Sequence, residues 1–210
     1  MNEIQTKQEA GKPGRNGVTY ALYGLALVGV AAVLYVIAAS VIKPKGASDL
    51  KSLAHGEMAH LQVTDPGAGA TPPGGTVVDA QGKGVTLANL KSGVMIVNLW
   101  ATWCAPCRQE MPTLAKLQAA YPGRVEIIPV AEDKPEDREK ARAFIGQYPP
   151  LPFYQDPQLA MTFALSPPAE GLPTTVIYDA SGHERARLSG GADWSSPEAH
   201  AVIDAILTGH

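Results

Sequence analysis

The chain has 210 residues, 45% of them apolar, which is enough for one domain with its own core plus appendages. Its net charge of −3 excludes the basic footprint of a nucleic-acid binder. Two cysteines exclude a multi-bridge disulfide scaffold, a four-cysteine zinc site and a cysteine-only iron–sulfur site. Residues 18–42 contain no Asp, Glu, Lys or Arg. That run exceeds the roughly 20 residues that cross a hydrocarbon core as a helix, and Tyr20, Tyr23 and Tyr35 suit its interfaces. The other reading is a cleaved signal peptide, with Ala38-Ala39-Ser40 at the cut. Signal-peptide apolar regions span about 7–15 residues, so the length favours a retained anchor. Lys7, Lys12 and Arg15 precede the span and Lys43, Lys45 and Lys51 follow it, which leaves the positive-inside rule undecided. Without residues 1–45 the chain has 12 basic and 18 acidic residues, a net charge of −6. Such an acidic domain is not drawn to anionic lipid.

Beyond the span, residues 48–61 place Leu50, Leu53, Ala54, Met58 and Leu61 on one helical face, with Gly56 as a weak point. Residues 64–75 read as a linker by composition. A hairpin is expected from 77–79, the Gly-rich turn 81–84 and 85–87. Residues 94–100 form a short apolar, β-branched run and read as a buried central strand. A helix is expected over 104–120, a second buried strand over 125–130, and an amphipathic helix over 135–148. A short helix over 157–165, strands over 174–179 and 184–188, and a final helix over 196–207 complete the pattern. Strands alternating with helices predict an open α/β sheet with helices on both faces.

Both cysteines fall in Trp103-Cys104-Ala105-Pro106-Cys107, between the first central strand and its helix. Cys104 then lies at a helix N-terminus, where free N–H groups and the macrodipole favour a thiolate. This makes Cys104 the nucleophile and Cys107, one turn further on, the thiol that resolves a mixed disulfide. Pro106 suits a first helical turn because it lacks an N–H. Half a metal site finds no second pair, and His55, His60, His183, His200 and His210 show no ligand spacing. Haem attachment needs a His after the second Cys, where Arg108 stands. A copper-binding accessory protein remains an alternative, with Cys104 and Cys107 as soft Cu(I) ligands, although no Met-rich or His-rich companion site accompanies them. Gly82-x-Gly84 is too short for a dinucleotide fingerprint, so no cofactor is expected.

Residues 98–114, NLWATWCAPCRQEMPTL, resemble the TlpA group of thioredoxin-fold thiol–disulfide proteins. The resemblance extends to Leu53-Ala54-His55-Gly56-Glu57, Gly171-Leu172-Pro173-Thr174-Thr175 and Ala192-Asp193-Trp194, and covers most of residues 50–207. It implies a thioredoxin-like α/β fold, a central mixed sheet flanked by helices, behind an N-terminal transmembrane helix. The expected organisation is a cytoplasmic tail (1–17), an anchor (18–42), a short helix and linker (43–75) and the thioredoxin-like domain (76–210). The resemblance further implies a single-pass inner-membrane protein with a periplasmic catalytic domain. It would reduce disulfides of partner proteins in cytochrome oxidase or cytochrome c assembly, and a specific apocytochrome c reductant is the alternative. A membrane thiol transporter would supply its electrons. The chemistry agrees with this orientation, because a tethered dithiol reductant is useful where disulfides form.

Site residues follow from the same resemblance. Pro173 falls on the cis-proline that faces the two cysteines in this fold, or else is an ordinary loop proline. Thr174 and its backbone would lie beside the sulfurs, and Trp103, Ala105 and Pro106 would complete the surface that meets a partner. Glu110 would handle thiol protons, or else be a solvated helix carboxylate. Two departures stand out. Asn98 occupies the position of thioredoxin's buried Asp, which shifts proton handling to Glu110 or water. The chain also lacks the additional structural disulfide of some TlpA relatives.

Overall fold

The computed structural model describes residues 15–41, 46–90 and 93–209. Residues 1–14 of the expected tail, the last residue of the expected anchor (42) and residues 43–45 after it lie outside them. The chain divides into two units, Met1–Lys43 and Pro44–His210. The first contains α1 (Arg15–Val41), whose side chains at 22–35 are exposed. Among the described residues no helix is long and apolar enough to cross a membrane, so the span expected over 18–42 is taken up below as a proposal.

The second unit opens with α2 (Ala47–Leu53), β1 (Gln62–Val63) and the hairpin β2 (Thr76–Asp79) and β3 (Gly84–Thr86). Then come β4 (Val94–Trp100), α3 (Ala105–Ala120), β5 (Val125–Ala131), α4 (Arg138–Ile145) and β6 (Tyr154–Gln155). The unit closes with α5 (Ala160–Ala164), β7 (Thr174–Tyr178), β8 (Glu184–Ser189) and α6 (Pro197–Leu207). The eight strands form one mixed sheet in the order β1-β8-β7-β4-β5-β6-β2-β3. β4, β5 and β6 run parallel through the crossovers α3 and α4, while β7 is antiparallel to β4 and β8. This is the thioredoxin-like arrangement that the sequence predicts.

β4 is buried along its whole length, as a parallel strand covered on both faces must be. Its side chains alternate between two cores. Val94, Ile96 and Trp100 join the helical layer of α3, α4 and α6, which also takes in Leu50 of α2. Met95, Val97 and Leu99 point to the other face, covered by Met161 of α5, Leu165, and Val77 of the hairpin. The two faces are therefore covered unequally: among the described residues the second has one five-residue α-helix and a 3₁₀ turn, Leu87–Asn89.

Several boundaries differ from expectation, each for a local reason. The helix expected over 48–61 stops at Leu53, and Gly56 adopts φ +55° before a short 3₁₀ turn, Gly56–Met58. Residues 62–63, for which no element is expected, pair with Arg187 and Ala186 of β8. α4 ends at Ile145, three residues early, and a 3₁₀ turn, Pro135–Asp137, replaces its first turn. The helix expected from 157 begins at Ala160. Before it, the Asp156 carboxyl accepts the backbone N–H groups of Gln158 and Met161, and Leu159 adopts φ 55°. β1 and β6 are two residues each, too short to display a period of two.

Candidate active site

The site is built where β4 ends. Trp100 hands the chain to a turn in which the Ala101 carbonyl accepts the Cys104 N–H at 3.1 Å. Asp133, just past the end of β5, holds that turn. Its carboxyl accepts the Thr102 N–H at 3.0 and 3.2 Å and the Thr102 hydroxyl at 2.6 Å. Both residues are buried, so the turn before the cysteines is fixed from the neighbouring strand.

Cys104 is the N-cap of α3, and its sulfur accepts the Cys107 N–H at 3.3 Å. The helix expected from 104 therefore starts one residue later, with the sulfur itself at the helix N-terminus. The two cysteines are joined in a disulfide. Cys104 retains 6% exposure and Cys107 none, so an incoming sulfur reaches Cys104 first. Ala105 and Pro106 are exposed beside it, and Trp103 is 67% exposed.

The Leu172–Pro173 bond is cis. The Pro173 carbonyl accepts the Gly190 N–H at 2.8 Å. Thr174 opens β7 opposite Leu99; it is buried, and its hydroxyl donates to the Gly171 carbonyl at 2.7 Å. That hydroxyl is already engaged, and Thr174 is paired with Leu99 and Ser189 in the interior of the sheet, which leaves the half-buried Leu172 as the more open residue of this turn. The segment after Gly190 then folds against the cysteine helix. A Cβ on Gly191 would sit 3.3 Å from the Pro106 Cβ and 3.4 Å from its carbonyl oxygen. The loop from β8 thus connects the proline loop to the first turn of α3.

Glu110 lies one turn after Cys107, as expected, but it is not a solvated helix carboxylate. It is 2% exposed and fully committed. The Asn98 amide donates to its Oε1 at 2.8 Å. The Ala192 N–H and the Trp194 indole N–H donate to its Oε2 at 3.2 and 3.1 Å. Burial pushes the Glu110 carboxyl up to about 7, against the opposing effect of the bonds from Asn98, Trp194 and Ala192. A cleft of about 350 Å³ beside it is lined by Glu57, Pro106, Glu110, Thr113, Gly191 and Asp193 among others.

Asn98 is the residue whose identity departs from thioredoxin, and the structure shows its use. Its amide also donates to the Thr175 hydroxyl at 2.9 Å, so it braces Glu110 against β7. Two features escape sequence reasoning: the contact of Ala192 and Trp194, quoted only as part of the resemblance, with Glu110, and the part played by Asp133. Ala192 and Trp194 meet Glu110 only because β8 returns the chain over α3, some 80 residues later. Asp133 gives a weak signal at most, as an acid directly after a buried strand. Its neighbour Glu132 is also buried, next to Asp156, and neither of its oxygens has a hydrogen-bond partner.

A profile of the Redoxin family matches residues 67–203. Thiol-disulfide oxidoreductase ResA of Bacillus cereus is 33% identical over 118 residues, covering 54% of this chain and 65% of that protein. Thioredoxin-like protein YneN of Bacillus subtilis is 32% identical over 124 residues, covering 54% and 66%. The chain thus spans just under two thirds of the length of these relatives. Among solved structures, one described as a thiol:disulfide interchange protein DsbE from Chlorobium tepidum superposes with a TM-score of 0.58 at 25% identity. That match covers 66% of this chain and 96% of the other.

Proposed function

The chain belongs to the Redoxin family, and from that premise we propose that it is a thiol–disulfide oxidoreductase that reduces disulfides of partner proteins outside the cytosol. The observation that supports this most is the placement of the pair: an accessible sulfur capping α3, joined to a buried sulfur one turn on. In the dithiol form the Cys104 thiolate attacks one sulfur of a partner disulfide. The partner's S–S bond breaks, a Cys104–partner mixed disulfide forms, and one partner thiolate leaves and takes a proton. Cys107 then attacks the Cys104 sulfur and releases the second partner thiol. Two electrons have moved to the partner, and the protein is left with the Cys104–Cys107 disulfide.

Glu110 takes the proton that Cys107 must shed. Held near 7, it divides between its two protonation states close to neutral pH, as a proton acceptor of this kind requires. Trp103, Ala105 and Pro106 form the surface around the attacking sulfur. Pro173, in the cis loop ahead of β7, and the half-buried Leu172 before it form the surface on which a partner segment docks. The electron source is a membrane thiol transporter that returns the pair to the dithiol. The resemblance to the TlpA group supports the narrower reading, in which the partners belong to cytochrome oxidase or cytochrome c assembly.

The charge-free stretch over residues 18–42 supports a membrane anchor there, and the resemblance to the TlpA group supports placing the second unit in the periplasm. Alkaline phosphatase, which needs an oxidising compartment, tests this when fused after residue 50. The fusion is expected to be active. An inactive fusion, with a cytoplasmic reporter active at the same junction, would place the domain on the wrong side for a reductant of exported proteins.

A further inference from the structure

We propose that Trp194 is a positioning residue of the exchange site, whose indole N–H orients Glu110 and governs when that carboxyl releases its proton. The inference rests on the reading of Glu110 as the proton acceptor and adds what controls it. Three donors converge on Glu110 from two directions. Asn98, on β4, takes Oε1. The Ala192 and Trp194 N–H groups, both after β8, share Oε2. A carboxylate accepts all three, whereas the neutral acid must turn one oxygen into a donor and lose an acceptor site. Each donor therefore favours the ionised form against burial.

Trp194 is more than core packing. It is fully buried, where an indole N–H usually finds an acceptor. Here that acceptor is Glu110 itself. The ring is also held in register, because the Trp194 backbone N–H donates to the Thr113 hydroxyl at 3.0 Å, one turn past Glu110 on α3. Two bonds from one residue thus tie the loop to the helix at the point where the carboxyl sits. Its indole N–H is spent on Glu110, so Trp194 positions and does not react.

The other charged groups around Glu110 are few. Cys107 lies one turn before it on α3, Glu57 comes from the 3₁₀ turn before β1, and Asp193 from the loop itself. The Asp193 carboxyl is held below its ordinary value, first by the Ser195 hydroxyl, and also by Lys116. β4 and β7 contribute only the uncharged Asn98 and Thr175. Burial opposes ionisation of Glu110, and the three N–H donors are what favour it.

The test uses the full-length chain in detergent, with the Glu110 carboxyl carbon followed by NMR in the disulfide form and the rate of disulfide exchange followed in the dithiol form. Trp194→Phe keeps an aromatic ring and removes the N–H. Benzothienylalanine at 194 removes the N–H while keeping the indole shape, and serves if the Phe variant folds poorly. Both substitutions are expected to raise the Glu110 midpoint by about one pH unit, tenfold in proton affinity. The pH midpoint of exchange should rise with it. In a Glu110→Gln background the same substitution should leave the pH profile of exchange where it is. A Glu110 midpoint that stays at its wild-type value in both 194 variants overturns the proposal. A midpoint that rises while Glu110→Gln keeps the wild-type pH profile overturns instead the reading of Glu110 as proton acceptor.

Discussion

Cys104→Ser is expected to abolish exchange with partner disulfides, and Cys107→Ser to arrest it as a mixed disulfide on Cys104. The asymmetry comes from the start of α3. Cys104 caps the helix, so its sulfur faces unsatisfied N–H groups, and the Cys107 N–H already points at it at 3.3 Å. A thiolate there gains from those donors and from the helix dipole. Cys107 is fully buried, so a partner disulfide cannot reach it before Cys104 has reacted. Loss of the nucleophile should lower exchange by at least ~10³-fold, in line with removing an attacking group elsewhere. Loss of the resolver leaves the first step intact and removes the second. Non-reducing electrophoresis of cell extracts reads the outcome directly. Adducts should accumulate with Cys107→Ser and be missing with Cys104→Ser, and equal trapping by the two variants would refute the assignment.

The largest expected effect on stability lies at Glu132. It is 3% exposed and neither oxygen has a hydrogen-bond partner. Burial, and then the nearby Asp156 carboxyl, push it up to about 8; the Thr162 hydroxyl opposes this without forming a hydrogen bond of normal geometry. Because the folded value lies above the unfolded one, the folded chain binds the extra proton between about pH 4.5 and 8. Stability therefore falls as pH rises through that window. Glu132→Gln keeps the size and removes the ionisation. The variant should match the wild type near pH 4.5 and exceed it by about 2–4 kcal/mol near pH 8.5. Glu110 titrates in the same window in both proteins, so the difference between them isolates Glu132. Urea midpoints at the two pH values measure it, and a difference that does not change with pH would contradict the account.

Much of this architecture is legible in the sequence because its signals are local. β4 is an apolar run interrupted only by Asn98, and Pro106 marks the start of α3. The reactive pair is equally local, since a CxxC after a buried strand defines its own geometry. What could not be read is long-range or very short. β1 and β6 have two residues each, and they form only because β8 and β5 offer edges to pair with. The environment of Glu110 depends on residues after β8 that fold back over α3, so position in the sequence leaves it equally consistent with a solvated carboxylate. Asn98 is visible as a departure, but its partner across the site is not. The turn held by Asp133 is of the same kind: Thr102 and Asp133 lie 31 positions apart and meet only because β4 and β5 are parallel neighbours.

A redox titration of the Cys104–Cys107 pair against glutathione tests the central claim most directly. Across thioredoxin-like dithiols the potential runs from about −270 mV for thioredoxin, a reductant, to about −120 mV for DsbA, an oxidant. A protein that reduces partner disulfides outside the cytosol must lie toward the thioredoxin end, below the glutathione couple that it is measured against. A value near the thioredoxin end is the predicted result. A value near −120 mV, with the dithiol as the more stable form, would make the pair a disulfide donor and contradict the reductant reading.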